Sequence, residues 1–249
     1  AQGTARAPVV STAYEDDAYG GDTNADGPGL GSPGDWAMVR FNSSNSQLSH
    51  CLFRFGTSVD IDYGSAAVTQ CRFESFDDIA LSIYTSDVVD VSGNEFVDSD
   101  KGLRLYKCTS ATVDGNAFAG CKTALEIEDC DPVVSNNAIS GGTWPVSLMG
   151  DATPVFSGNT FSDNTYAYIR VEGTILRDTV WGDVQGLGMP YVVWPDVRVY
   201  AGYTLTIEAG VVVKFLNSST DLVVNGTLDA QGTAQAPVVF TAYEDDAYG

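Results

Sequence analysis

Positive charge is scarce in this chain of 249 residues: 12 lysines and arginines stand against 33 aspartates and glutamates, and the net charge is −21. A field of that sign repels nucleic acid and anionic membrane surfaces, so neither is expected as a partner, whereas divalent cations and a high-salt setting both fit. No run approaches the roughly 20 apolar residues of a membrane span, which argues against insertion. Apolar residues at helical spacing are missing too, which argues against an α-helical fold. Cysteine is present five times, an odd number that cannot form a complete disulfide framework. What the chain does not lack is apolar bulk. It is 44% hydrophobic and 11% aromatic, enough at this length for a substantial core and too much for a disordered segment.

Repetition is its most informative property. Residues 1–20 return as residues 230–249 with only Arg6/Gln235 and Ser11/Phe240 differing. This predicts a window on a tandem array of one large module. Within residues 36–173 a shorter period appears as Gly93-Asn94-Glu95-Phe96, Gly115-Asn116-Ala117-Phe118, Asn136-Asn137-Ala138-Ile139 and Gly158-Asn159-Thr160-Phe161, spaced by about 22 residues. Two earlier copies carry cysteine in the asparagine column, as Cys51-Leu52-Phe53 and Cys71-Arg72-Phe73. The aromatic column therefore reads Phe53, Phe73, Phe96, Phe118, Ile139, Phe161. Five residues earlier comes Leu48, Val68, Val91, Val113, Val134 or Phe156, and farther along each copy lies an alternating pair such as Leu81/Ile83 or Leu103/Leu105.

Alternation is the strand period, and clusters of Gly, Asn and Asp between the short strands supply turns. Equivalent columns stack only if successive coils run in the same direction, which excludes hairpins and predicts an all-β fold, a parallel β-helix or solenoid of about 22-residue coils. The general preference for right-handed crossovers makes it right-handed. Phe53, Phe73, Phe96, Phe118 and Phe161 then form an inner ladder, and Asn94, Asn116, Asn137 and Asn159 a ladder of side-chain amides at one bend.

Residues 174–249 read differently. Leu205, Ile207 and Val211 are followed 17 residues later by Leu222, Val224 and Leu228, which suggests tighter winding. The expected organisation is a C-terminal portion of one module over 1–173, with coils from about residue 36. A cap or junction containing Trp181, Pro190, Trp194 and Pro195 follows over 174–203, and the N-terminal portion of the next module over 204–249.

The run TLTIEAGVVVKF, the segment LVVNGTLDAQGTAQAPVVFTAYEDD, the loop DDAYGGDTNADGPG before Gly34-Asp35-Trp36, and the Asn-x-Phe coils together resemble bacterial and archaeal surface proteins of the right-handed β-helix superfamily, the pectate-lyase-like fold. The resemblance implies an extracellular or cell-surface setting. The triplets beginning at Asn42, Asn217 and Asn225 also fit glycosylation acceptors. It leaves activity open, because one scaffold carries many functions. Polygalacturonase-like members pair aspartates with Gly-His-Gly and Arg-x-Lys, and the sole histidine here, His50, lies outside any such motif. Asp77-Asp78 imitates the paired carboxylates, and Asp98, Asp100, Lys101, Arg104 and Lys107 imitate a calcium-dependent lyase site, each with cross-coil charge pairing or a solvated corner as the alternative. No enzymatic activity is expected.

Asp22-Thr23-Asn24-Ala25-Asp26-Gly27 opens like a calcium loop, with oxygen ligands at alternate positions and then glycine, although Pro33 stands where the twelfth-position glutamate belongs. Asp16 and Asp17, with Glu15 or Asp35, are the candidates to complete a Ca2+ shell around Asp22, Asn24 and Asp26. The alternative is a polar excursion held by its own turns. Cys51 and Cys71 share one column and Cys108 and Cys130 another, each pair one coil apart, so either two disulfides or stacked thiols fit, and Cys121 has no partner in register.

The expected function is a structural module of an extracellular or cell-surface fibre, built by tandem repetition or by end-to-end self-association. The alternatives are a carbohydrate-binding or carbohydrate-cleaving β-helix, with glycans stacked on Tyr63, Tyr84, Tyr106 or Tyr168 beside Lys101 and Arg104, and an adhesin.

Overall fold

The structure, a computed structural model, describes residues 1–248 and is built of β-strands and turns, with no helix among the described residues. None is therefore long and apolar enough to cross a membrane. All strand pairing is parallel, and the strands stack into three faces that run the length of a solenoid.

The first face begins at Trp36–Asn42 and continues through the first half of Gly56–Thr69, the first half of Ile79–Ser92, Lys101–Tyr106, Thr123–Glu128 and Trp144–Met149. It goes on through Ile169–Ile175, Tyr191–Val199 and Val212–Phe215 to Val239–Ala242. Its alternating apolar pairs turn inward in strict register, so that Phe41, Ile61, Ile83, Leu105, Ile127, Leu148 and Val171 form one column. The second face carries Leu48, Val68, Val91, Val113 and Val134 inward and ends at Phe156. On the third face Phe53, Phe73, Phe96, Phe118, Ile139 and Phe161 stack in turn.

Stacking follows from the strand spacing. Parallel strands lie about 4.8 Å apart, and the rings of Phe73 and Phe96 are 5.1 Å apart at 6° while those of Phe96 and Phe118 are 4.7 Å apart at 4°. Phe73 and Phe96 are fully buried. Burial of each such ring contributes on the order of 2–3 kcal/mol. Bends between faces recur at fixed residues. The residue before each rung of the asparagine column is left-handed in every coil, at His50, Gln70, Gly93, Gly115, Asn136 and Gly158. This accounts for the glycine of Gly-Asn-x-Phe, because only glycine and asparagine adopt that conformation cheaply.

Residues 174–203 contribute strands of their own, and the first face passes through them unbroken. The other two faces stop there. The second ends at Val155–Ser157 and the third at Thr160–Ser162, and new strands take over at Thr179–Trp181, Thr204–Ile207 and Thr227–Ala230. Trp181 stacks on Tyr191 at 5.2 Å and 7°, filling the core at the changeover. Winding does not tighten to 17 residues beyond it. Leu205 lies beside Leu228 and Val197 beside Leu222, steps of 23 and 25 residues. The 17-residue likeness pairs strands that belong to different faces.

The duplicated segment also takes two places. Val9–Ser11 lies on the third face against Cys51–Arg54, whereas Val239–Ala242 lies on the first face against Val212–Phe215.

Candidate functional site

Four asparagines in one column form a continuous buried hydrogen-bond chain. The main-chain N–H of Asn94 donates to Oδ1 of Asn116 at 2.9 Å, that of Asn116 to Oδ1 of Asn137 at 2.9 Å, and that of Asn137 to Oδ1 of Asn159 at 3.0 Å. Each Nδ2 also reaches back to a carbonyl of the preceding coil, as Asn116 does to Val91 at 2.9 Å. Below Asn94 the column continues in sulfur: the N–H of Cys71 donates to Asn94 Oδ1 at 2.9 Å, and that of Cys51 to Cys71 Sγ at 3.4 Å. Above Asn159 sits Gln185, which no repeat pointed to because it lies outside the Gly-Asn-x-Phe pattern.

All five cysteines are free and buried. Cys51 and Cys71 are stacked, and Cys108 and Cys130 hold their thiols against main-chain carbonyls, Cys108 at Ile83 and Tyr106 and Cys130 at Leu105. Interaction between the two raises the Cys130 thiol and lowers that of Cys108. Burial pushes Cys71 up to about 12 and Cys121 up to about 11, so both stay protonated at neutral pH.

The calcium-like loop does not gather its proposed ligands. Asp22 accepts from the N–H groups of Asp26 at 3.2 Å and Gly27 at 3.1 Å, and Asn24 accepts from Asp26 at 3.4 Å. Asp16 faces away into an ion pair with Arg54 at 2.8 Å, and Asp17 accepts from the N–H of Gly29 at 2.6 Å. Among the described residues no group of three His, Cys, Asp or Glu side chains is placed to hold a metal. The donors fit a self-closed turn better than a cation shell.

Charged side chains instead line the outer side of the first face. In register across successive coils this row reads Arg40, Asp60, Ser82, Arg104, Glu126, Ser147, Arg170. Arginines pair with neighbouring carboxylates, Arg40 with Asp60 at 3.0 Å, Arg104 with Glu126 at 3.2 Å and Glu128 at 2.5 Å, and Arg170 with Glu172 at 2.6 Å. The residues that imitate a lyase site do not converge. Asp100 pairs with Lys122, Lys107 with Asp129 and Lys101 with Asp78 and Glu126, while Asp98 occupies a left-handed bend. Asp77 lies against Gly34, apart from its neighbour's pairing with Lys101.

Two aromatic groups lie along the same side. Arg104 covers Tyr84 and Tyr106, whose rings are 5.8 Å apart, while Tyr63 stands alone and exposed. Tyr168 is buried in a larger group that the sequence did not reveal. It stacks on Tyr166 at 5.1 Å, accepts a hydrogen bond from Trp144 Nε1 at 3.1 Å and meets Tyr243 edge-on at 5.9 Å, while Arg170 lies over Trp144 and Trp194. A cleft of about 470 Å³ opens between Tyr166, Tyr168, Tyr243 and Lys214. These residues are far apart in the chain and share no period, so only the winding brings them together.

A family model described as "Right handed beta helix region" matches residues 79–189. Searches of curated proteins and of solved structures return no match. With every strand pairing in parallel and three faces stacked coil upon coil, the chain is a parallel β-helix protein.

Proposed function

We propose that this chain is a rigid shaft module of an extracellular or cell-surface fibre. The observation that carries the reading is the first face, which runs unbroken from Trp36–Asn42 to Val239–Ala242 through the place where the other two faces change over. Its ten strands make nine steps of about 4.8 Å, roughly 43 Å of shaft. Hydrogen bonds then lie along the axis, where a fibre carries tension, and the core is continuous, so bending breaks many contacts at once. The net charge of −21 keeps neighbouring shafts apart in the absence of bridging cations. Two modules expressed in tandem and imaged by electron microscopy should appear as straight rods about twice the length of one. Two globules joined by a variable angle would overturn the reading.

A second reading rests on Tyr166, Tyr168, Tyr243 and Lys214, which line one cleft. The half-buried rings of Tyr166 and Tyr243 at its mouth suit a glycan, which stacks on aromatics and hydrogen-bonds to polar groups. On this reading Tyr166→Ala weakens binding of an oligosaccharide at least tenfold with the fold intact, and equal affinity of wild type and variant removes it.

A further inference from the structure

Midway along the solenoid, two strand edges face each other without pairing. Val155–Ser157, the last strand of the second face, pairs below with Val133–Ser135 and has no strand above it. Thr179–Trp181, one coil later, pairs above with Thr204–Ile207 and has no strand below it. By position in its coil, Thr179 is the residue that should stack on Phe156, since it follows Val171 at the distance at which Phe156 follows Leu148, and Leu148 and Val171 are in register. The first-face strand of that coil, however, carries a bulge between Val171 and Gly173 and runs on to Ile175, past Glu172, the partner of Met149. The chain therefore turns late. A cleft of about 370 Å³ is left, lined by Val155 and Phe156 on one side and Val180 on the other, a size within the roughly 300–1,000 Å³ of ligand pockets.

The walls specify what fits. A strand edge presents main-chain N–H and C=O groups, and these select an extended backbone. The inward residues of the second face are sealed as far as Val134, none of Leu48, Val68, Val91, Val113 and Val134 being more than 1% exposed. Phe156 is only half-buried, and Val155 and Val180 beside the cleft are 62% and 46% exposed. An apolar side chain is thus missing from the seat above Phe156. Asp183 and Glu208 line the same cleft and no lysine or arginine does. Asp183 Oδ1 accepts from the N–H of Gly188 at 2.9 Å and the Glu208 carboxylate lies against Gly182, but neither joins an ion pair among the described residues. Tyr191, buried at the same cleft, has its hydroxyl pushed up by burial and then by Glu208 and Asp183. A cationic group complements this corner.

We propose that the cleft is a docking site for an extended peptide of a partner protein, with an apolar side chain over Phe156 and a lysine or arginine directed at Asp183 and Glu208. Its backbone adds to the edge of Val155–Ser157 as the strand that the second face lacks, over about the three residues that each wall offers. The first face passes the site unbroken, so a partner docks on the side of the solenoid without interrupting it. The site is separate from the tyrosine cleft and does not depend on the shaft reading.

Fluorescence anisotropy with the labelled peptide Val-Phe-Val-Lys-Lys tests this. The unmodified chain should bind it saturably, and at least tenfold more tightly than Val-Phe-Val-Glu-Glu or the basic peptide methylated on the main-chain nitrogens of Phe and the second Val. Asp183→Asn combined with Glu208→Gln, which removes charge and keeps shape, should weaken binding at least tenfold. Hydrogen exchange at residues 155–157 should slow at least tenfold when the peptide saturates the chain. No binding at about 1 mM overturns the proposal, and so does equal affinity for the methylated peptide, for the acidic peptide or in the double variant. Slowed exchange at residues 166–168 instead of 155–157 would place the peptide in the tyrosine cleft and equally overturn it. The peptide comparison and the exchange map use the unmodified chain, so they decide the matter even if the double variant misfolds. Two-module rods that are straight yet bind no peptide would remove the docking site and leave the shaft reading standing.

Discussion

Gln185 Oε1 accepts hydrogen bonds from both nitrogens of Asn159, the main-chain N–H at 3.0 Å and Nδ2 at 3.1 Å, and so occupies the place of the next asparagine in the column. Its own Nε2 donates to the Asn159 carbonyl at 2.6 Å. A ladder that ended at Asn159 would leave its main-chain N–H without this partner at the changeover of faces, and its Nδ2 with the Val134 carbonyl alone. A glutamine from an irregular segment closes it.

The ladder should therefore weaken unevenly when cut. Asn116 Oδ1 accepts from both nitrogens of Asn94, and its Nδ2 donates to Val91 and Asn137, all within the core. Asn116→Ala strands several of these groups, at a cost of about 1–3 kcal/mol for each that stays unsatisfied. The expected loss is on the order of 3 kcal/mol, or roughly 6–12 °C in melting temperature for a chain of this size. Gln185→Ala exposes its orphaned groups nearer to solvent and should cost about 1 kcal/mol. Differential scanning calorimetry checks the order; equal losses would mean that the column is not a cooperative chain.

A similar contrast holds for the phenylalanines. Phe96 is wholly buried between two stacked rings, whereas Phe161 is the last of its face and only partly covered. Phe96→Ala should cost about 3–5 kcal/mol, as large core deletions do when the cavity cannot collapse, and Phe161→Ala less than half of that. Urea denaturation with an unchanged m-value gives the comparison.

How much of this is legible in the sequence depends on whether a residue repeats. The inner columns, the asparagine ladder and its cysteine substitutes recur in order, so period alone places Phe96 beside Phe118 and Cys71 beneath Asn94. Gln185 and Tyr191 occur once each, at a changeover with no period, and nothing local marks them, while Trp181 marks the junction without revealing that it stacks on Tyr191. The duplicated segment shows the opposite failure. Its sequence is repeated almost perfectly, yet its two copies lie on different faces, because a strand's seat depends on which edge is free and not only on its own residues.

Calcium provides a direct check on residues 22–27. Both carboxylate oxygens of Asp22 already accept main-chain N–H groups, and Asp16 is held by Arg54. Adding calcium, or removing it with a chelator, should leave the melting temperature unchanged to within about one degree, whereas a site filled at 100 times its dissociation constant would add about 2.7 kcal/mol. A rise of several degrees would require the loop to rearrange around the ion.

Alkaline pH should expose the buried thiols. Burial raises Cys71 to about 12 and Cys121 to about 11, while an unfolded cysteine ionises near 8.5. Above that value the unfolded chain loses protons that the folded chain retains, so stability present at neutral pH is lost progressively as pH climbs toward the folded values. Each unit of difference corresponds to about 1.4 kcal/mol. Unfolding free energies measured by urea titration should accordingly decline from about pH 9 upward. Cys121→Ala should flatten the decline by the share of one thiol while lowering stability slightly at pH 7 through the lost sulfur contacts. Parallel curves for the two proteins would show that Cys121 ionises in the folded state as easily as in the unfolded one, which its burial forbids.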